Sequence, residues 1–194
     1  VNTQILNICK RDGWEICHAA AVTDGVRGLA IAGLSGGGKS TTMLRMMDLD
    51  DTRFVTNDRL MVRATGDETV GVGIPKNPRI NPGTILHNPR LVSMLSEVRR
   101  QDLEAMPPEA LWQLEEKRDL FIGEIYGPGR VQFIMPLTEF WVLNWSRDST
   151  FPAQLREVVL ADRPDLLGAV MKSAGPFFQK AGGAFLRDEE PLEP

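Results

Sequence analysis

Cysteine is scarce: only Cys9 and Cys17 occur in 194 residues, and they do not form a C-x-x-C pair. With just two histidines, the chain has no Cys/His cluster of the kind that holds zinc. A reduced, cytoplasmic setting is the expectation. No apolar run approaches the length of a membrane span, and no signal peptide is visible. Charge of one sign is also lacking. The 22 basic and 26 acidic residues leave a net charge of −4, which argues against a dedicated nucleic-acid binder. No internal repeat is present. The chain opens on Val1 rather than methionine, which leaves room for an N-terminal partner domain or a removed signal.

What remains is ordinary for a globular protein, with 42% hydrophobic and 25% charged residues. One domain with a full core is expected over residues 1–186. Residues 187–194 form an acidic, proline-bearing tail expected to fray.

The most informative stretch is Gly33-Leu34-Ser35-Gly36-Gly37-Gly38-Lys39-Ser40. It has the form G-x-x-x-x-G-K-[ST] of a phosphate-binding loop. Glycines permit backbone angles that turn consecutive N–H groups inward as an anion-binding nest. Lys39 would meet the β/γ-phosphates of a nucleotide, and Ser40 would offer a hydroxyl to Mg²⁺. The following helix adds its positive N-terminal end. Leu29–Ala32 reads as the buried strand before the loop and Thr41–Met47 as the helix after it. The candidate nucleotide contacts are Gly33, Ser35, Gly36, Gly37, Gly38, Lys39, Ser40 and Thr41.

Around this loop, Ile5–Ile8 and Trp14–Val22 read as strands. Asp24-Gly25 signals a hairpin turn. Phe54-Val55-Thr56 is a short strand ending at Asn57-Asp58, the setting of an acidic metal ligand downstream of a phosphate loop. Leu60–Val62 continues as a strand, turned at Gly66-Asp67. Gly71 to Pro89 is dense in glycine and proline and reads as a long irregular loop, with Lys76 and Arg79 as candidate contacts to phosphate or to an acidic substrate. Helices are expected over 91–103, with Asn88 as N-cap, and over 107–118. Residues 121–126 and 130–135 read as a strand pair around a Gly127-Pro128-Gly129 turn. Residues 140–145 read as a strand whose Trp141 and Trp145 face the core. Residues 155–160 fit strand or helix, and short closing helices are expected over 165–171 and 177–180.

Three stretches together resemble the catalytic domain of HPr kinase/phosphorylase. They are the loop 33–42, His18 fifteen residues before Gly33, and Phe54-Val55-Thr56-Asn57-Asp58-Arg59-Leu60. The loop is also similar to that of phosphoenolpyruvate carboxykinase. The segment Ile74 to Thr84 resembles the divergent proteins called HprK-related kinase B. The resemblance covers residues 14–62 well and is weak beyond residue 90. It implies an α/β fold, a mixed-sheet P-loop domain of the phosphoenolpyruvate carboxykinase / HPr kinase type. It further implies an ATP-dependent serine kinase using Mg²⁺, with a protein substrate and a homo-oligomeric, hexameric assembly. Ser40 and Asp58 would hold the metal, and Asp58, His18 and Lys39 would be the catalytic group. His18 could orient Asp58, touch the γ-phosphate or bind metal; otherwise it is a core histidine.

One position departs from the pattern. Asn57 stands where the family has the aspartate that takes the proton of the substrate hydroxyl, and a neutral amide cannot accept that proton. Three readings follow. The first is a kinase acting on a protein serine or a small hydroxyl compound. The second is a small-molecule enzyme of the carboxykinase type. The third is an ATP-binding sensor or scaffold without catalysis.

Overall fold

The computed structural model describes residues 2–145, 150, 152–173, 178–179 and 185–186. The chain divides into two compact units, residues 1–75 with 132–194, and residues 76–131. In chain order the elements are α1 (Asn2–Arg11), β1 (Glu15–Cys17), β2 (Ala19–Thr23), β3 (Gly28–Gly33), α2 (Lys39–Met46), β4 (Arg53–Thr56), β5 (Leu60–Thr65) and β6 (Glu68–Gly73). The smaller unit contributes β7 (Arg79–Ile80), α3 (Pro82–Leu86), α4 (Glu97–Glu104), α5 (Pro108–Gln113), β8 (Arg118–Asp119) and α6 (Ile122–Tyr126). The larger unit resumes with β9 (Ile134–Pro136), β10 (Glu139–Leu143), α7 (Leu167–Val170), β11 (Phe178–Gln179) and β12 (Phe185–Leu186). Among the described residues no helix is long and apolar enough to cross a membrane.

The larger unit is built on two four-stranded sheets. One is wholly antiparallel, in the order β1-β5-β6-β9. The other is mixed, in the order β10-β3-β2-β4, with β10 parallel to β3 and β2 antiparallel to both β3 and β4. The alternation of side chains along strands distributes residues between layers. Ala19, Ala21, Ala30, Ala32 and Val55 of the mixed sheet pack with Cys17, Leu60 and Met135 of the antiparallel sheet in one buried cluster. The opposite face of the antiparallel sheet gives Ile16 and Met61 to a second cluster with Leu6 of α1. Helix α2 packs on β2 and β3. Helix, mixed sheet, antiparallel sheet and helix thus form successive layers, and β2, covered on both faces, is buried throughout.

The sheets approach closely where side chains are absent. A Cβ added at Gly73 of β6 would lie 2.1 Å from the Val55 carbonyl oxygen of β4, and one at Gly28 would lie 2.0 Å from that of Pro136. Glycine there serves contact between strands rather than turn formation.

Three connections carry the chain from one sheet directly into the other: His18 between β1 and β2, residues 57–59 between β4 and β5, and residues 137–138 between β9 and β10. Because β1 pairs with β5 and β2 with β4, the first two crossings lie side by side. Cys17 is opposite Leu60 on one side of them, and Ala21 is opposite Thr56 on the other.

In the smaller unit, β7 pairs with β8, and Ile80, Ile85, Leu91, Leu103, Leu120 and Ile122 are buried. Ser96 caps α4, its hydroxyl accepting from the Arg99 amide.

Several sequence expectations are corrected. Residues 5–8 belong to helix α1, with Leu6 buried and Ile5 and Ile8 exposed, because three apolar residues in four fit either period. The strand expected over 14–22 breaks at His18. Residues 71–89 are not one irregular loop: they contain the end of β6, then β7 and α3. The helix expected over 91–103 is a 3₁₀ turn at Val92–Met94 followed by α4, and Asn88 instead accepts from the Arg90 amide. The second expected helix shortens to α5. Residues 122–126 are helix, not strand, so no hairpin with 130–135 forms. Trp145 lies beyond β10 and is exposed. Residues 152–159 carry no regular element, and 178–179 are strand where a helix was expected. The expected tail, 187–194, lies outside the described residues.

Candidate functional site

The glycine-rich stretch joins β3 to α2, the strand–loop–helix setting that a phosphate loop requires. Gly36 and Gly38 have φ of 77° and 92°, left-handed angles that favour glycine and that anion-binding nests use. The Gly37 amide donates to the Leu34 carbonyl at 3.0 Å, closing the loop on itself. Lys39, the first residue of α2, is only 9% exposed. Its ammonium donates to the carbonyls of Gly33 at 2.7 Å and Leu34 at 3.1 Å. The lysine therefore spans its own loop and holds it in shape.

Register brings the remaining candidates to the same end of the mixed sheet. Ala19 of β2 is opposite Ala32 of β3, so His18, one step beyond, lies level with Gly33, where the loop departs. Leu143 of β10 also pairs with Gly33, and β4 ends at Thr56 beside β2. The carboxyl ends of β3, β4 and β10 thus converge where the loop begins, the usual place for ligands in α/β sheets.

At the two adjacent crossings, His18 Nε2 donates to Asp58 Oδ1 at 3.2 Å. The Arg59 guanidinium stands 3.7 Å from Asp58 Oδ2. The Thr56 hydroxyl donates to the Arg59 carbonyl at 2.9 Å and fixes the turn that presents Asp58. Asp58 is half exposed, while His18 is largely covered. The His18 hydrogen bond, opposed by partial burial and assisted by the charges of Arg59, His18 and Lys172, holds the Asp58 carboxyl at about 2, below its ordinary 3.8. An ionised, half-exposed carboxylate is a suitable hard-oxygen ligand for Mg²⁺. Asn57 beside it is partly buried, and its Oδ1 is buried with no hydrogen-bond partner.

The lowered value sets a pH dependence. Ionised Asp58 stabilises the folded state in full above pH 3.8, and that contribution fades as pH falls through about 2. Asp58→Asn should therefore be less stable than the native chain at pH 5, with the gap narrowing toward pH 2. Because the carboxylate is half exposed, the gap should stay below about 1 kcal/mol. Urea unfolding of both proteins at stepped pH checks this; a gap that widens in acid would contradict it.

Lys76 and Arg79 belong to the smaller unit. Lys76 is exposed, and Arg79, on β7, pairs with Asp119 of β8 at 3.7 Å. Ser35 and Thr41 are exposed, and Ser40 is partly buried at the start of α2. Sequence reasoning reaches Arg59 only as a salt-bridge partner for Asp58, a contact the structure shows at 3.7 Å. It did not single out Lys172, whose charge reaches Asp58 from far along the chain.

No family model matches the chain, and no curated protein matches it in sequence. Among solved structures, the HPr(Ser) kinase/phosphatase from Coxiella burnetii is similar over 75% of this chain and 73% of that chain, with 14% identity and a TM-score of 0.41.

Proposed function

We propose that the chain is an ATP-dependent kinase, transferring the γ-phosphoryl group to a hydroxyl acceptor, a protein serine in the reading favoured by the resemblance of its motifs. The observation that carries this is the Asp58–His18 pair at the sheet end from which the glycine loop departs. In this reading the loop amides of Gly36 to Ser40 cradle the phosphates. Lys39 exchanges its two loop carbonyls for phosphate oxygens. Ser40 and Asp58 are the residues that would hold Mg²⁺, which supplies charge neutralisation when bound. His18 keeps the Asp58 carboxylate oriented and ionised.

The tool of choice is calorimetric titration of ATP with and without Mg²⁺. Binding should strengthen with Mg²⁺ in the native chain, and Asp58→Ala should remove that increment while leaving metal-free binding intact. Equal Mg²⁺ dependence in both proteins would refute the assignment of Asp58. A second reading, an ATP-binding sensor without catalysis, is supported by Asn57, whose buried amide cannot serve as a base.

A further inference from the structure

We infer that Lys172 is a further residue of this site, and that its ammonium and the Arg59 guanidinium together receive the terminal phosphate of the nucleotide beside the Asp58–His18 pair. The inference rests on the proposed nucleotide site and adds to it a residue from far along the chain.

Position is the first argument. Residues 170–172 run antiparallel to residues 16–18. The His18 amide donates to the Val170 carbonyl at 2.6 Å, the Lys172 amide donates to the Ile16 carbonyl at 2.9 Å, and Cys17 bridges Met171. Helix α7, which leads into this ladder, packs on β3, the strand that feeds the glycine loop. Ala169 and Val170 are buried. The ladder sets Val170 opposite His18 and ties Lys172 by its own backbone to Ile16, two residues before the crossing, where Lys172 is partly exposed.

Charge is the second. One carboxylate, Asp58, stands 3.7 Å from the Arg59 guanidinium, and the charge of Lys172 reaches it more weakly. The local excess is positive before any ligand arrives. Arg59 Nη1 is buried and makes no hydrogen bond, only the 3.7 Å ion pair. A buried guanidinium donor without an acceptor is uncommon, and a phosphate oxygen would supply that acceptor. Two cations flanking one carboxylate suit an anion that arrives with its own Mg²⁺ better than a bare metal ion.

ATP and ADP differ by the terminal phosphate, so their affinities separate this contact from the rest of the loop. The full chain and its Lys172→Ala and Lys172→Arg variants are titrated calorimetrically with each nucleotide in the presence of Mg²⁺. Lys172→Ala should lose about tenfold in ATP affinity, the scale of one charged hydrogen bond, with ADP affinity almost unchanged. Lys172→Arg should keep most of the ATP affinity. The backbone ladder does not involve the side chain, so thermal unfolding should be unaltered. If alanine does loosen the fold, Lys172→Met repeats the comparison with the apolar stem retained. Equal loss for both nucleotides, or no loss for either, overturns the inference while leaving the nucleotide site standing. A native chain that binds neither nucleotide overturns the nucleotide site, and this inference with it.

Discussion

Replacing Lys39 with alanine should lower ATP affinity by about 10–100-fold, the loss of roughly 1.5–3 kcal/mol expected when a hydrogen bond to a charged group is removed. The ammonium donates to the Gly33 and Leu34 carbonyls at 2.7 and 3.1 Å. Both belong to the loop that would hold the phosphates. Two effects then act in the same direction. The variant lacks the positive charge that meets the triphosphate, and its loop is no longer tied across its own mouth. The fold should persist at a cost of about 1–3 kcal/mol, because water can reach the exposed Leu34 carbonyl while the buried Gly33 carbonyl loses its donor. Lys39→Met separates the two causes, since it fills the same volume without charge. Calorimetry reads affinity and thermal unfolding reads integrity. Undiminished affinity in a folded Lys39→Ala protein would show that the glycine loop is not the phosphate site.

The second large effect concerns rate. Asn57→Asp should raise phosphoryl transfer to a hydroxyl acceptor by roughly 10²–10⁴-fold, the usual contribution of a general base. The structure adds a reason why the new carboxyl would be a useful one. Asn57 Oδ1 is buried without a donor, and Asp58 is next in sequence and ionised. Desolvation and a neighbouring negative charge both push a carboxyl's pKa up, toward the range where a base works at neutral pH. The same burial carries a stability cost of about 1–3 kcal/mol, visible in urea unfolding. If Asn57→Asp leaves the rate unchanged while His18→Ala abolishes it, His18 is the base. If neither substitution alters turnover, neither residue serves that role. Absence of transfer in every variant, with ATP still bound, would favour the sensor reading.

The loop and the strands flanking it were legible because their chemistry is local. Glycine at 36 and 38, lysine at 39 and the apolar run before them each announce a conformation without reference to the rest of the chain. β4 and the acidic residue after it were legible for the same reason. The contact between His18 and Asp58 was not. It depends on two strands leaving their sheets at the same level, which is a matter of register between segments forty residues apart. Glycine misled where its role was packing. Gly71 and Gly73 suggested a loop, yet both lie in β6, where Gly73 lets the strand approach the Val55 backbone. Short apolar runs misled where two periods fit equally, as in residues 5–8 and 121–126, both of which are largely helical. Lys172 carried no local signal, since its place near the end of β1 comes from a backbone ladder with residues 16–18.

A crystal structure of the chain with a non-hydrolysable ATP analogue and Mg²⁺ tests the central claim most directly. The account predicts phosphates against the amides of Gly36 to Ser40, Lys39 turned from the Gly33 and Leu34 carbonyls to the phosphates, and the metal held between Ser40 and Asp58. Phosphates bound elsewhere, or a metal that leaves Asp58 engaged only with His18 and Arg59, would contradict it.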